Sequence, residues 1–137
     1  HAGWRGTVNR ILAKTLHRMQ SAYGTRGTDV IACIGPGISL DSFEVGDEVY
    51  EAFRTENFPM EYISVWKPET HKYHIDLWAA NRLQLSDFGV PPRQIENAGI
   101  CTYRQHEDFF SARRLGIKSG RILSGIMLNR QEKEERK

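Results

Sequence analysis

"DVIACIGPG" (residues 29–37) is a short, almost wholly apolar run closed by Gly35-Pro36-Gly37. Such a run without polar alternation suits a buried strand, and a Gly-Pro-Gly sequence ends it in a tight loop. The stretch is therefore expected to lie at the centre of a sheet. Upstream of it, Val8, Ile11, Leu12, Leu16 and Met19 recur at helical spacing, with Thr7 placed to cap and Gly24 to stop, which predicts an amphipathic helix over about 7–23. Downstream, Asp47 can cap a second helix in which Val49 and Phe53 sit four apart. "EYISVWK" (61–67) and "KYHIDL" (72–77) flank a Pro-Glu-Thr-His turn and read as a hairpin. Trp78, Leu85 and Phe88 share one face of a third helix, which Gly89 and the Pro91-Pro92 pair close. "IENAGICTY" (95–103) and "RILSGIML" (121–128) read as two further strands. The order helix, strand, helix, hairpin, helix, strand, strand is neither an alternating βαβ series nor an all-β one, so the expected class is α+β with a mixed sheet and about three helices.

At 137 residues the chain is one domain's worth, long enough to bury a core without staples. No repeat or low-complexity linker divides it, so residues 1–129 are read as part of a single domain. The charged stretch "RQEKEERK" (130–137) has no apolar stripe and reads as a solvated, disordered tail. Nineteen basic and 17 acidic residues are mixed along the chain for a net charge of +2, which is no electrostatic footprint for nucleic acid. No run approaches the roughly 18 apolar residues of a membrane span, and no basic-then-apolar stretch reads as a signal segment, so neither a membrane span nor secretion is expected. Cys33 and Cys101 belong to no C-x-x-C motif, and the simpler reading is a reduced, cytoplasmic protein.

Several residues carry candidate chemistry. An N-terminal histidine such as His1 can brace copper with its own amine, but that centre needs a second coplanar histidine and belongs to secreted β-sandwiches, which three helices do not suit. His71 and His74, on hairpin strands, are expected on opposite faces as structural or surface residues; His17 falls on a polar helix face and His106 in a polar turn. Cys33 and Cys101, inside apolar strands, are expected to behave as small hydrophobes with raised pKa, so a Cys-His hydrolase is a secondary reading. Anion binding has two local supports. Gly3 and Gly6 bracket Trp4-Arg5 just before a helix, where backbone N–H groups could face a phosphate with Arg5 beside them. Arg113 and Arg114 follow Phe109-Phe110, a plausible lining for a planar charged ligand. The bland alternative, with Trp4, Phe109 and Phe110 in the core and the arginines paired to surface acids, stands level with it.

Four stretches taken together, "HAGWRGT" (1–7), "IGPGISLDSFEVGDEV" (34–49), "DLWAANRLQLSDFGV" (76–90) and "CTYRQHEDFFSARR" with "SGRILSGIML" (101–128), resemble the laccase-domain family, also called the YfiH or multicopper polyphenol oxidoreductase family. The resemblance runs in order from residue 1 to about 128. It implies an α+β fold comparable to that of the toxin cysteine hydrolases and a single metal, zinc with copper as the alternative, in a His-Cys-His site. His1 would be its third ligand, with the other two coming from upstream segments, so the chain is expected to be the C-terminal part of a larger protein. It further implies phosphorolysis of adenosine, inosine and methylthioadenosine, with adenosine deamination alongside, so that purine nucleoside and phosphate are the expected partners. A three-ligand zinc with an open position suits hydrolytic deamination; phosphorolysis asks for a cationic phosphate pocket, for which Arg5, backed by Arg113 and Arg114, is the candidate. Copper-dependent phenol oxidation, the family's older label, would need clustered histidine pairs that five scattered histidines do not supply.

Overall fold

The structure is a computed structural model that describes residues 1–129. The α+β reading is correct, but the sheet is divided. Among the described residues, β1 (Ala32–Ile34) pairs in parallel with β5 (Ile95–Asn97), while β2 (Glu44–Val45), β4 (Lys72–Ile75) and β3 (Ser64–Lys67) form a separate antiparallel sheet in the order β2-β4-β3. The apolar run that opens the sequence argument thus forms one half of a two-stranded sheet rather than a sheet centre. Its Cys33 is exposed, not buried. The strand has one paired edge and one covered face, so the alternate side chain turns outward.

The helix expected over 7–23 is two helices, α1 (Trp4–Val8) and α2 (Ile11–Tyr23), separated at Asn9-Arg10. Arg10 takes the left-handed conformation at φ 57°, uncommon for a residue with a side chain. Long-range contacts hold it there: its guanidinium donates to Glu56 O at 2.9 Å and lies 4.3 Å from the Phe58 ring centre. The break lets one apolar stripe serve two cores. Val8 joins Phe43, Phe53, Ile63 and Ile75 in the larger cluster, whereas Leu16 packs with Leu85, Val90 and Ile95 in the smaller.

α3 (Asp47–Thr55) buries Val49 and Phe53 as their spacing predicts, with Gly46 rather than Asp47 at the cap position. A short turn of helix, α4 (Met60–Ile63), takes the first residues of the expected strand before the hairpin β3/β4 forms in the predicted place. α5 (Leu77–Phe88) ends at Gly89 at φ 97°, and Asp76 caps its start by accepting from the Ala79 N–H. Beyond α6 (Ala112–Leu115) the expected strand 121–128 is absent: those residues form no ladder, and Leu123, Met127 and Leu128 are each more than four-fifths exposed. A strand needs a neighbour to satisfy its backbone, and none of the described residues provides one. The tail read over 130–137 lies outside the described residues.

Candidate functional site

The segment "HAGWRGT" does not run as a loop up to Thr7; Gly3 caps α1 and Trp4-Arg5 form its first turn. His1 is exposed, and its imidazole folds back so that Nε2 lies 2.8 Å from where a Cβ on Gly3 would stand. Trp4 is half-buried against the larger core, and the exposed Arg5 guanidinium lies 4.5 Å from its ring centre. What holds this segment is Thr7, which is fully buried. Its hydroxyl donates to Ala2 O at 3.0 Å and its N–H to Gly3 O at 2.8 Å. From α5, Asn81 Nδ2 donates to the Thr7 hydroxyl at 3.0 Å and Gln84 Nε2 to Thr7 O at 3.1 Å, while Gln84 Oε1 accepts from the Ala13 N–H at 3.1 Å. Sequence reasoning missed Asn81 and Gln84. The available signal was two amide side chains three apart in "ANRLQL", on the helix face that also carries Leu77, Ala80 and Leu85, where buried amides must find partners.

Arg113 and Arg114 are exposed, but they do not sit on Phe109 and Phe110. Arg113 donates to Glu44 O at 2.8 Å with its guanidinium 5.3 Å from the Phe43 ring centre; Arg114 donates to Tyr103 O at 2.9 Å and stacks 4.2 Å from that ring. Phe110 is itself 55% exposed. Each arginine thus spends one donor on a backbone carbonyl, which orients the fork and leaves further N–H groups facing solvent. Arg5 rests on Trp4, whereas Arg113 and Arg114 are held by Glu44 and Tyr103.

The histidines split as structure and surface. His17 is exposed against Phe88, and His71 sits in the hairpin turn at φ 53° rather than on a strand. His74 is buried, with Nδ1 2.8 Å from Leu40 O and Nε2 3.6 Å from Glu44 Oε2. The Thr70 hydroxyl first, then Lys72 and His74, hold the Glu44 carboxyl below its usual value against burial. Among the described residues no three His, Cys, Asp or Glu side chains converge as a metal site. His1 offers one donor where zinc takes three or four, so the described residues do not by themselves fit the ion.

The loops that follow β1 and β5 frame a concavity. Their backbones stay paired through a parallel bridge between Gly37 and Cys101, with Gly37 N–H donating to Ile100 O and Thr102 N–H to Gly37 O, and then diverge. The resulting cleft, about 430 Å³, is lined by Ser39, Asp41, Trp78, Cys101, Arg104 and Gln105. Cys101 lies on its floor, only 5% exposed. The Ser39 hydroxyl and N–H donate to its sulfur at 3.0 and 3.4 Å, and the Ser42 hydroxyl stands 3.6 Å away. Burial pushes this thiol up, yet the hydrogen bonds from Ser39, Ser42 and the Arg104 N–H together bring it down to about 7. The expectation of a raised pKa is therefore overturned. Hydrogen bonds to the charged form outweigh desolvation. The partners of this sulfur are Ser39, Ser42 and the Arg104 N–H, none of them a histidine, so the geometry does not assemble the Cys-His pair of a cysteine hydrolase.

The architecture is that of an α+β domain whose parallel strand pair opens into a loop-lined cleft. Comparison with known proteins then identifies it. The family model described as multi-copper polyphenol oxidoreductase laccase matches residues 1–129, and the chain belongs to that family. It is 65% identical over 130 residues to a purine nucleoside phosphorylase of Bacteroides thetaiotaomicron, covering 95% of this chain and 48% of the relative. It is 50% identical over 126 residues to adenosine deaminase RL5 from an unknown prokaryotic organism, covering 92% of this chain and 48% of the relative. Among solved structures, YlmD from Geobacillus stearothermophilus superposes with a TM-score of 0.73 at 35% identity, over 83% of this chain and 42% of that one. A Bacillus licheniformis YfiH protein gives a TM-score of 0.75 at 32% identity, over 83% and 43%. The chain spans about half the length of the curated relatives it matches. No described helix is long and apolar enough to cross a membrane.

Proposed function

We propose that the chain belongs to a zinc-dependent, cytoplasmic purine nucleoside phosphorylase that cleaves adenosine, inosine and methylthioadenosine and also deaminates adenosine. The observation that carries this reading is the match over residues 1–129, with a 65%-identical relative named for phosphorolysis and a 50%-identical one named for deamination. In phosphorolysis a phosphate oxygen forms a bond to the sugar C1′ as the bond from C1′ to the base breaks, and the base leaves with a proton. That reaction needs cations to gather and orient phosphate. Arg5, exposed on a first turn that Thr7 clamps to α5, is the leading candidate, with Arg113 and Arg114, whose forks are held by carbonyls, behind it. His1 is proposed as one donor to the zinc, an ion that takes three or four.

The test uses the protein at its natural length. Phosphate-dependent release of hypoxanthine from inosine, and phosphate-independent conversion of adenosine to inosine with release of ammonia, are expected and are read by chromatography. Arg5→Ala should lower kcat/KM for phosphate at least tenfold; an unchanged rate removes Arg5 from the mechanism. His1→Ala should lower zinc content, read by elemental analysis, and full zinc retention would remove His1 from the metal site.

A further inference from the structure

We propose that His74 is a positioning residue for Cys101: its imidazole holds the Leu40 carbonyl, and through it the turn that carries Ser39 and Ser42 against the Cys101 sulfur. The device stands apart from the nucleoside reading, because it concerns only how acidic and how reactive that thiol is.

The strand places the ring. On β4, the middle strand of its sheet, Ile75 enters the larger core, so His74 turns to the opposite face. It is only 8% exposed there and stands across from Glu44 in the β2 pairing. A carbonyl can only accept, so the 2.8 Å contact with Leu40 O puts a proton on Nδ1. Nε2 then faces one oxygen of the Glu44 carboxyl at 3.6 Å, while Lys72 Nζ reaches the other, also at 3.6 Å. The second donor to Leu40 O, the Phe43 N–H, stands off at 3.4 Å, so the imidazole supplies the short bond.

The turn carries the effect to the sulfur. The Ser42 and Phe43 N–H groups both donate to Ser39 O, at 3.0 and 2.9 Å, and close residues 39–43 into one unit with Leu40 inside it. The Ser39 and Ser42 hydroxyls of that unit stand 3.0 and 3.6 Å from Cys101 Sγ, and the Cys101 backbone is held separately by its bridge to Gly37. The bridge fixes the sulfur, and His74 fixes the serines. Hydrogen bonds weaken steeply as distance and angle degrade, and those to the thiolate are what lower this thiol. Releasing Leu40 therefore returns Cys101 toward an ordinary thiol, although His74 itself does not touch it.

The test follows the pH dependence of iodoacetamide labelling at the Cys101 peptide by mass spectrometry, in the natural-length protein carrying Cys33→Ser, with a urea midpoint for each variant. The midpoint of labelling should lie near 7, and His74→Phe should raise it by about one unit. His74→Asn, whose Nδ2 can donate where Nδ1 did, should restore it. Added to the pair Ser39→Ala and Ser42→Ala, His74→Phe should give almost no further rise, because the serines through which it acts are gone. An unmoved midpoint in a folded His74→Phe protein, or a full additional shift in the triple variant, overturns the proposal. In the unmutated protein, nitrogen NMR of the ring at mildly alkaline pH should find the proton on Nδ1. A bare Nδ1 overturns the proposal even if no His74 variant folds.

Discussion

Replacing Gln84 with methionine, which has nearly the same shape, isolates what the buried amide does for the N-terminal segment. Gln84 is 1% exposed and holds two backbone groups at once: the Thr7 carbonyl, at the end of α1, and the Ala13 N–H, one of the orphan donors in the first turn of α2. Methionine fills the space and strands the Ala13 N–H, whereas the Thr7 carbonyl loses one of two bonds and keeps the Arg10 N–H at 3.0 Å. The stranded donor costs about 1–3 kcal/mol and the lost bond to Thr7 about 0.5–1.5 kcal/mol, while the added apolar burial returns roughly 1 kcal/mol, leaving a net loss of about 0.5–3.5 kcal/mol. A typical domain has only about 5–15 kcal/mol in all. With a urea slope of about 1–3 kcal/mol per molar, the unfolding midpoint should fall by roughly 1 M. Asn81→Leu is the contrasting change. Asn81 Oδ1 is buried with no partner, and the groups its Nδ2 serves, Leu77 O and the Thr7 hydroxyl, lie inside α5 or keep the bond to Ala2 O. Removing an orphaned acceptor offsets the two lost bonds, so this variant should stay within about 1 kcal/mol of wild type. Equal midpoints for the two variants, or a Gln84→Met loss below about 0.5 kcal/mol, would refute the account of the clamp.

Gly27→Ala should destabilise by about 1–3 kcal/mol, read by thermal melting, because a Cβ there runs into the backbone of Gly89, which has no soft end to yield. Ser39→Ala should shift the pH midpoint of Cys101 alkylation upward by about half a unit to one unit, since it removes the shortest hydrogen bond to that sulfur. The folded thiol's pKa of about 7 lies below its ordinary value of 9.0, so the unfolded chain binds more protons between those limits. Cys101 therefore contributes stability that is fully present above about pH 9 and is lost as pH falls through about 7; urea midpoints of wild type and Cys101→Ser should diverge in that direction. Arg113→Ala should cost less than about 1 kcal/mol of stability, since its fork lies at the surface, yet lower kcat/KM for phosphate several-fold if it serves the anion; loss of stability with unchanged kinetics would make it a strut for Phe43 and Glu44 alone.

Local signals in the sequence determined the helices α3 and α5, the β3/β4 hairpin and the Gly89 stop, because apolar spacing and a left-handed glycine act within a few residues. They also carried the family, since four motifs in order are a property of the chain itself. Tertiary structure alone decided the rest. The Asn9-Arg10 break is invisible in a stripe that runs from Val8 to Leu16, because it comes from Phe58 and Glu56 holding Arg10, some 46 residues away in sequence. Cys33 and Cys101 look alike in their apolar runs, yet one faces out and the other meets two serines from a loop about 60 residues earlier. Arginines 113 and 114 found Phe43 and Tyr103 rather than the neighbouring phenylalanines. "RILSGIML" has strand composition and no strand, because β structure is a contract with a partner edge, whereas a helix closes its hydrogen bonds within itself.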